Sequence, residues 1–315
     1  MKALVTGGAG FIGSHIAEAL LARGDAVRVL DNFSTGKREN IESFVDGIEL
    51  VEGDIRDASR VGEAVRGMDA IFHSAAFVSV AESIEKPQEC FDANVSGTHL
   101  LLESARRAGV GRVILASSAA VYGESDALPL VEETLLQPKS PYALSKRINE
   151  MYADLFTDSF GLEVVALRYF NVYGPRQRPD SMYAAAVPIF IQRLLDNKPI
   201  TIFGDGGQTR DLIFVRDVVR ANLIAAEHPN AAGKIFNICT GTETRLLDLL
   251  DVLNGIFPYA PKPEFTSPRA GDIYRSVGST QKAKDVIGFK VQTSLANGLK
   301  ETIEAMRAKS PISNL

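Results

Sequence analysis

A glycine-rich segment near the start of the chain most strongly limits the fold. An apolar strand pattern at residues 3–5 leads into Gly7, Gly10 and Gly13, and the apolar residues that follow recur with the period of a helix. In such a turn the first glycine permits a tight bend, the second lets the main chain approach a pyrophosphate, and the third allows close packing of helix on strand. An ordinary strand-to-helix turn can have the same glycine spacing, so further residues are needed to support a dinucleotide-binding motif.

Short β-branched runs alternate with longer amphipathic segments along the first half of the chain, which is typical of βαβ units. This pattern predicts an α/β protein with a Rossmann-type doubly wound parallel sheet and a smaller α/β C-terminal domain. We expect residues 1–175 and 212–240 to form the dinucleotide-binding domain, and residues 176–211 and 241–315 to form the second. The strand candidates are residues 3–5, 27–30, 49–51, 70–72, 113–116 and 164–167.

Composition excludes several classes of function. The 315 residues are enough for about two domains, and a net charge of −5 gives no general attraction to nucleic acid or anionic membranes. The two cysteines, Cys90 and Cys239, lie far apart and without clustered histidines, so we expect neither a disulfide nor a metal site. No targeting segment or spanning stretch is recognisable, which leads us to expect a soluble cytoplasmic protein.

Two acidic residues suggest the identity of the dinucleotide. Asp31 ends the second strand candidate, where a carboxylate accepts both ribose hydroxyls of an adenosine and repels a 2′-phosphate. NAD is therefore expected rather than NADP, although Lys37 and Arg38 nearby weaken the preference. Asp54 follows the third strand candidate and is expected either to bind the adenine amino group or to cap a turn.

A tyrosine, a lysine and a serine are candidates for acid–base chemistry. Ser140 and Pro141 predict the start of a helix on which Tyr142 and Lys146 lie one turn apart on the same face. The ammonium and an oxidised nicotinamide are expected to stabilise the tyrosine phenolate, making it a usable general base. Ser118 follows the fifth strand candidate, at the sheet edge where open α/β sheets bind ligands.

The order of these residues resembles the extended short-chain dehydrogenase/reductase family, in particular its NAD-dependent nucleotide-sugar 4-epimerases. The resemblance covers essentially the whole chain and implies a catalytic triad of Ser118, Tyr142 and Lys146, with Asn94 supporting triad and cofactor. The expected NAD contacts, beyond residues already named, are Phe11, Ile12, Asn32, Ile55 and Tyr169.

The family also contains dehydratases, decarboxylases and reductases, so accessory positions must decide the reaction. Similar dehydratases carry an Asp-Glu pair where this chain has Ala119 and Ala120, and alanine moves no proton. A 4-keto sugar is then expected only to take its hydride back at C4. Return of the hydride to the opposite face of the sugar inverts C4, which is epimerisation.

The resemblance implies further contacts with a UDP-sugar. These are Asn171 and Arg210 on the diphosphate, Arg269 as a second clamp, Phe203 on uracil and Asp272 on the ribose. Ser276 stands where enzymes restricted to UDP-glucose and UDP-galactose tend to have tyrosine, which favours UDP-N-acetylglucosamine and UDP-N-acetylgalactosamine, with the unacetylated pair as further substrates. Tyr274 or Arg275 reaching the sugar instead would undo that inference.

Three alternatives stay open at this stage. They are a UDP-glucose 4-epimerase that rejects acetylated sugars, a net NAD-dependent nucleotide-sugar oxidoreductase, and a catalytically silent sensor or scaffold on the same fold. The family further implies a homodimer formed through helices at residues 87–108 and 141–160, against the simpler reading that their apolar faces only cover the sheet.

Overall fold

Alternating strands and helices build one large sheet covered on both faces. The structure is a computed structural model, and it describes residues 1–179, 186–257, 261–268 and 273–309. In that part of the chain the strands are β1 (Lys2–Thr6), β2 (Ala26–Asp31), β3 (Ile48–Glu52), β4 (Ala70–His73), β5 (Arg112–Ser118), β6 (Glu163–Tyr169), β7 (Asn171–Tyr173), β8 (Thr201–Phe203), β9 (Thr209–Arg210), β10 (Leu212–Phe214), β11 (Ile235–Ile238), β12 (Thr244–Arg245) and β13 (Glu264–Thr266). The α-helices are α1 (Phe11–Ala22), α2 (Ala58–Val65), α3 (Val80–Glu85), α4 (Pro87–Phe91), α5 (Gly97–Ala108), α6 (Pro141–Phe160), α7 (Ala186–Leu195), α8 (Val215–Glu227), α9 (Leu246–Ile256), α10 (Gln281–Ile287) and α11 (Leu295–Lys309).

Seven parallel strands form the main sheet in the order β11-β6-β5-β4-β1-β2-β3. Each of the six predicted strands lies inside one of these, which confirms the expected doubly wound sheet. From β1 the strand order runs outward through β2 and β3, and from β4 it runs outward in the opposite direction, so the switch point lies between β1 and β4. Sheets of this type bind their ligands there, at the carboxyl ends of the strands. Strand β11, from the late segment expected to return to the first domain, pairs with β6.

Both faces of the sheet are apolar. Successive side chains along a strand point to opposite faces, and consecutive apolar residues therefore supply both. Ala3 and Val5 pack on one face with Ile16 of α1, whereas Leu4 packs on the other face with Phe156 of α6. A third apolar cluster, which includes residues of α7, α9 and α11, fills the smaller part of the molecule. The described residues also form three two-stranded sheets, β7 with β10, β8 with β13 and β9 with β12.

The two cysteines are buried and unbonded to each other, as expected of small apolar side chains. Across the ranges given above, no helix is both long and apolar enough to cross a membrane.

Candidate active site

The turn after β1 is closed by main-chain contacts that leave no room for side chains. The Gly10 amide donates to the Gly7 carbonyl at 3.0 Å, and Gly7 has a φ of +67°, which favours glycine. A Cβ at Gly13 would lie 2.1 Å from the Gly7 oxygen. Helix α1 then begins at Phe11 without a side-chain cap, so the first-turn N–H groups of Phe11, Ile12 and Gly13 are available to an anion. This glycine cradle fits the pyrophosphate of a dinucleotide.

Asp31 ends β2 beside that cradle. Its two carboxylate oxygens accept the main-chain N–H groups of Ala9 and Phe33, both at 2.8 Å. Burial raises the pKa of the carboxyl above its usual value, against the lowering effect of those two hydrogen bonds. A carboxylate oxygen can accept more than one hydrogen bond, so Asp31 retains capacity for ribose hydroxyls.

The basic residues near Asp31 are engaged with acidic neighbours. Lys37 lies 3.6 Å from Glu39, and Arg38 donates to Glu52 at 2.5 Å. A 2′-phosphate would therefore meet paired cations and a buried carboxylate, an environment that favours NAD over NADP.

Asp54 is held by its own turn. The carboxylate accepts the Arg56 main-chain amide and guanidinium as well as the Asn32 side-chain amide, all at 2.8 Å. The Arg56 side chain contributes most to the lowered pKa of Asp54. Turn stabilisation, the simpler of the two expectations, is thus present, and a contact with adenine stays a prediction. Ile55, the next residue, is buried. Its side chain lies so close to Gly97 that a Cβ added there would come within 2.9 Å of it.

Ser118, Tyr142 and Lys146 meet at the carboxyl end of β5. Helix α6 begins as predicted, with Pro141 in its first turn and the Ala143 amide donating to the Ser140 hydroxyl at 3.1 Å. Lys146 Nζ donates to the Ala116 carbonyl at 2.8 Å and lies 5.9 Å from the centroid of the Tyr142 ring.

Burial and hydrogen bonding act in opposite directions on the pKa of Tyr142. Burial raises the pKa of the Tyr142 phenol, and a hydrogen bond with Ser118 lowers it by less. Burial also lowers the pKa of Lys146 to about 8. The lowering of the tyrosine pKa that the ammonium and an oxidised nicotinamide together are expected to give stays a prediction.

Asn94 supports the triad helix from the side. It lies in a π-helical turn between α4 and α5, and its Nδ2 donates to the Ser145 hydroxyl at 2.9 Å. Its Oδ1 accepts the Phe77 amide at 2.7 Å, and Nδ2 also contacts the Cys90 sulfur at 3.7 Å. Asn94 thus fixes the residue before Lys146 against the loop after β4.

A buried ion pair beneath the triad was missed by sequence reasoning. Arg168 of β6 donates to both carboxylate oxygens of Glu150 on α6, at 2.7 and 2.9 Å. Glu150 also accepts the Ser117 hydroxyl at 2.7 Å, and Arg168 donates to the Tyr122 hydroxyl at 2.8 Å. The only sequence signal was the position of Glu150, one turn after Lys146 on the same helix face.

A second buried set, also missed, joins the glycine turn to α6. His73 bonds to the Thr6 hydroxyl at 2.7 Å and to the Thr98 hydroxyl at 2.9 Å, and Asn149 donates to the same Thr98 hydroxyl at 3.2 Å. Burial, with a smaller effect of Lys146, lowers the pKa of His73 to about 3, so the imidazole is neutral.

Three further residues predicted to bind cofactor or substrate have hydrogen-bond partners within the protein. Tyr169 is buried and donates its hydroxyl to the Asn222 side-chain oxygen of α8 at 3.0 Å, and its contact with a cofactor stays a prediction. Asn171 donates to the Asp211 carbonyl at 3.4 Å. Arg210 donates to the Thr209 and Ile273 carbonyls at 2.8 and 2.6 Å.

A pocket of about 500 Å³ is lined by residues of the smaller part of the molecule. Phe203 lines it, as do Gln208 and Tyr274. Ser276 is half-buried nearby in sequence, whereas Arg269 and Asp272 lie outside the described residues.

Comparison with known proteins agrees with this geometry. The chain matches the family model described as the NAD dependent epimerase/dehydratase family over residues 3–239. It is 41% identical to the UDP-glucose 4-epimerase of Mycolicibacterium smegmatis, across 98% of this chain and 100% of that protein.

Two solved structures are similar over nearly their whole length. One is a UDP-glucose 4-epimerase of Thermotoga maritima with UDP-glucose, 39% identical with a TM-score of 0.93, covering 98% of this chain and 99% of that one. The other is a UDP-N-acetylglucosamine 4-epimerase of Methanobrevibacter ruminantium M1 in complex with UDP-N-acetylmuramic acid, 34% identical with a TM-score of 0.94 and the same coverage.

Proposed function

This chain belongs to the NAD dependent epimerase/dehydratase family, and from that premise we propose that it interconverts UDP-hexoses of opposite configuration at C4. The observation that carries the proposal is the meeting of Ser118, Tyr142 and Lys146 at the sheet edge beside a dinucleotide cradle. The similarity to UDP-sugar 4-epimerases over almost the full length supports the same reaction.

The glycine turn and Asp31 hold the cofactor. First-turn amides of α1 bind the pyrophosphate, and the Asp31 carboxylate accepts the adenosine ribose hydroxyls. When bound, NAD supplies reversible hydride transfer at the sugar C4, so no net redox change results.

Tyr142 moves the proton of the sugar O4 hydroxyl. Ser118 hydrogen-bonds the same oxygen and the phenol, so that it shares the proton during transfer. The positive charge of Lys146, whose pKa burial lowers to about 8, stabilises the phenolate once the phenol has lost its proton.

Epimerisation is favoured over dehydration by the residues after Ser118. Ala119 and Ala120 begin a short 3₁₀ turn there, and the Ala120 amide donates to the Ser118 hydroxyl at 3.2 Å. Neither side chain can remove or deliver the protons that loss of water requires. The oxidised sugar can therefore only regain hydride at C4, on either face.

The acceptance of N-acetylated sugars rests on Ser276. Tyr274 points its hydroxyl at Asp205, at 3.1 Å, and Arg275 pairs with Glu243 at 2.7 Å. Both bulky neighbours thus have partners of their own, which supports the proposal that the small Ser276 side chain borders the 2-acetamido group. UDP-N-acetylglucosamine and UDP-N-acetylgalactosamine are the substrates we propose, with UDP-glucose and UDP-galactose accepted as well.

The nucleotide end of the substrate is assigned to the smaller part of the molecule. We propose that Phe203 packs on uracil in its pocket and that Arg210 and Asn171 contact the diphosphate. From the sequence alone we further propose that Arg269 binds the diphosphate and that Asp272 binds the ribose.

Two copies of the chain are proposed to associate through α4 and α6. Leu144, Met151 and Leu155 lie on one face of α6 and are each about half exposed, as is Phe91 of α4. An exposed apolar stripe of this kind is typical of a protein interface.

Incubation of the purified protein with UDP-N-acetylglucosamine or UDP-glucose, without added reductant, tests the proposal. Proton NMR of the C4 configuration should show conversion of both sugars. A Ser276→Tyr variant should lose the acetylated substrate while keeping UDP-glucose. Conversion of UDP-glucose alone by the wild-type protein would contradict the role of Ser276, and stoichiometric consumption of free NAD would contradict epimerisation.

A further inference from the structure

The Glu150–Arg168 pair lies inside the protein, between α6 and β6. Neither side chain is more than 2% exposed, and the guanidinium donates to both carboxylate oxygens, at 2.7 and 2.9 Å. Replacing a buried ion pair by apolar side chains of similar volume is often neutral or even stabilising. Stability alone therefore does not explain why two charges are buried at this place, and their other contacts indicate a further role.

The pair holds the chain on both sides of Ser118. In the register of β5 with β6, Ser117 lies opposite Arg168, and its hydroxyl donates to Glu150 Oε1 at 2.7 Å. Tyr122, which ends the 3₁₀ turn after Ser118, accepts a hydrogen bond from Arg168 at 2.8 Å through its hydroxyl. The residue before Ser118 and the end of the turn after it are thus both fixed to one buried pair.

The pair also belongs to the helix that carries the other two triad residues. Lys146 and Tyr142 precede Glu150 on α6 by one and two helical turns, which places all three on one face of the helix. Lys146 Nζ donates to the Ala116 carbonyl of β5 at 2.8 Å. Helix α6 is therefore fixed to the end of β5 at two neighbouring residues, through its lysine and through its glutamate.

We propose that Glu150 and Arg168 are positioning residues that set the distance between the Ser118 hydroxyl and the Tyr142 phenol. This inference rests on the proposed function, in which these two groups share the proton of the sugar O4 hydroxyl. Proton transfer requires hydrogen-bond distances of about 2.6–3.2 Å, and a displacement of about 1 Å can lower a rate by about 100-fold. The pair ties the strand end that carries Ser118 to the helix that carries Tyr142, and so keeps that distance short.

The variant Arg168→Met/Glu150→Leu separates positioning from stability. It removes both charges together, so its free energy of unfolding should fall less than that of Arg168→Met alone. Its kcat for UDP-glucose and UDP-N-acetylglucosamine should nonetheless be lower than that of the wild type by about 10- to 100-fold, with KM and bound NAD nearly unchanged. A pair that only stabilised the fold would give a kcat that recovers together with stability.

Ser117→Ala tests the same link if the double variant folds poorly. It removes only the hydroxyl that joins β5 to Glu150 and leaves the ion pair intact, and we expect kcat to fall by roughly 3- to 10-fold with KM unchanged. Thr302→Val is the matched control, since it also removes a buried hydroxyl with a hydrogen bond, in this case to the Gly298 carbonyl of α11. Both variants should lose some stability, but Thr302→Val should keep the wild-type kcat.

Three results would overturn the assignment while leaving the epimerase proposal intact. The first two are a kcat that follows stability across the variants and a Ser117→Ala enzyme as active as the wild type. The third is a loss confined to KM, because a positioning role acts on the reacting groups and not on substrate affinity. A wild-type protein that converts neither sugar would overturn both proposals.

Discussion

Replacing Gly13 by alanine tests the dinucleotide cradle at its tightest point. The added Cβ would lie 2.1 Å from the Gly7 carbonyl oxygen, 2.8 Å from the Gly7 carbonyl carbon and 3.0 Å from the Gly8 Cα. These neighbours are main-chain atoms, so no side chain can rotate away. Real Cβ atoms keep about 3 Å or more from such atoms, and helix α1 must therefore move from the turn by about 1 Å.

That displacement has two consequences. Overpacking of a dense interior costs about 1–3 kcal/mol, so the free energy of unfolding should fall by that amount. The first-turn amides also move relative to the turn, and we expect the purified variant to contain much less bound NAD than the wild type. Denaturant unfolding measures the first effect, and enzymatic assay of the NAD released by heating measures the second.

Gly62→Ala is the matched control. Gly62 lies within α2, and its added Cβ would meet nothing within 4 Å. Alanine there should raise the free energy of unfolding by roughly 0.5–1 kcal/mol and leave the NAD content unchanged. A Gly13→Ala protein with wild-type stability and wild-type NAD content would refute the role given to the glycine turn.

Four further predictions follow from buried and exposed side chains. Tyr142→Phe should lower kcat by about 10²–10⁴-fold with the bound NAD unchanged, and near-normal turnover would remove Tyr142 as the base. Because the pKa of His73 is lowered to about 3, the unfolded chain binds a proton that the folded chain does not, and stability is fully present above pH 6.5 and falls as pH drops toward 3. His73→Gln should reduce that acid loss by about 1.4 kcal/mol per pH unit within the window, and an unchanged slope in denaturant titrations at several pH values would show that His73 is not its source. Arg168→Met leaves the buried Glu150 carboxylate with Arg147, at 3.3 Å, as its remaining charged partner and should cost about 3 kcal/mol in unfolding, with Arg168→Met/Glu150→Leu costing less than the single change. Leu144→Glu should give a monomer in analytical sedimentation, whereas a wild-type protein already monomeric would contradict the dimer.

The sheet was predictable because local patterns report it. Apolar runs flanked by turns marked all six predicted strands, and Ser140 followed by Pro141 marked the start of α6. The two-stranded sheets of the smaller part were less visible, since strands of two or three residues, such as Thr209–Arg210, are too short to show a period.

The interior polar contacts were not predictable from sequence. His73 meets Thr6 across 67 positions and Thr98 across 25, and only the pairing of β1 with β4 brings the first two together. The same holds for the Glu150–Arg168 pair, which joins a helix to a strand. Residue spacing gave the approach of Lys146 to Tyr142, but burial decides both pKa values, and burial depends on the whole fold.

Retention of a hydrogen label tests the central claim, reversible C4 oxidation with return of the same hydride. UDP-glucose and UDP-N-acetylglucosamine, each deuterated at C4, are incubated separately with the protein in ordinary water and the products are examined by NMR and mass spectrometry. We predict products of opposite C4 configuration that keep the deuterium at C4, without net change in free NAD. Loss of the deuterium to solvent, loss of water from the sugar, or accumulation of an oxidised sugar would contradict the account.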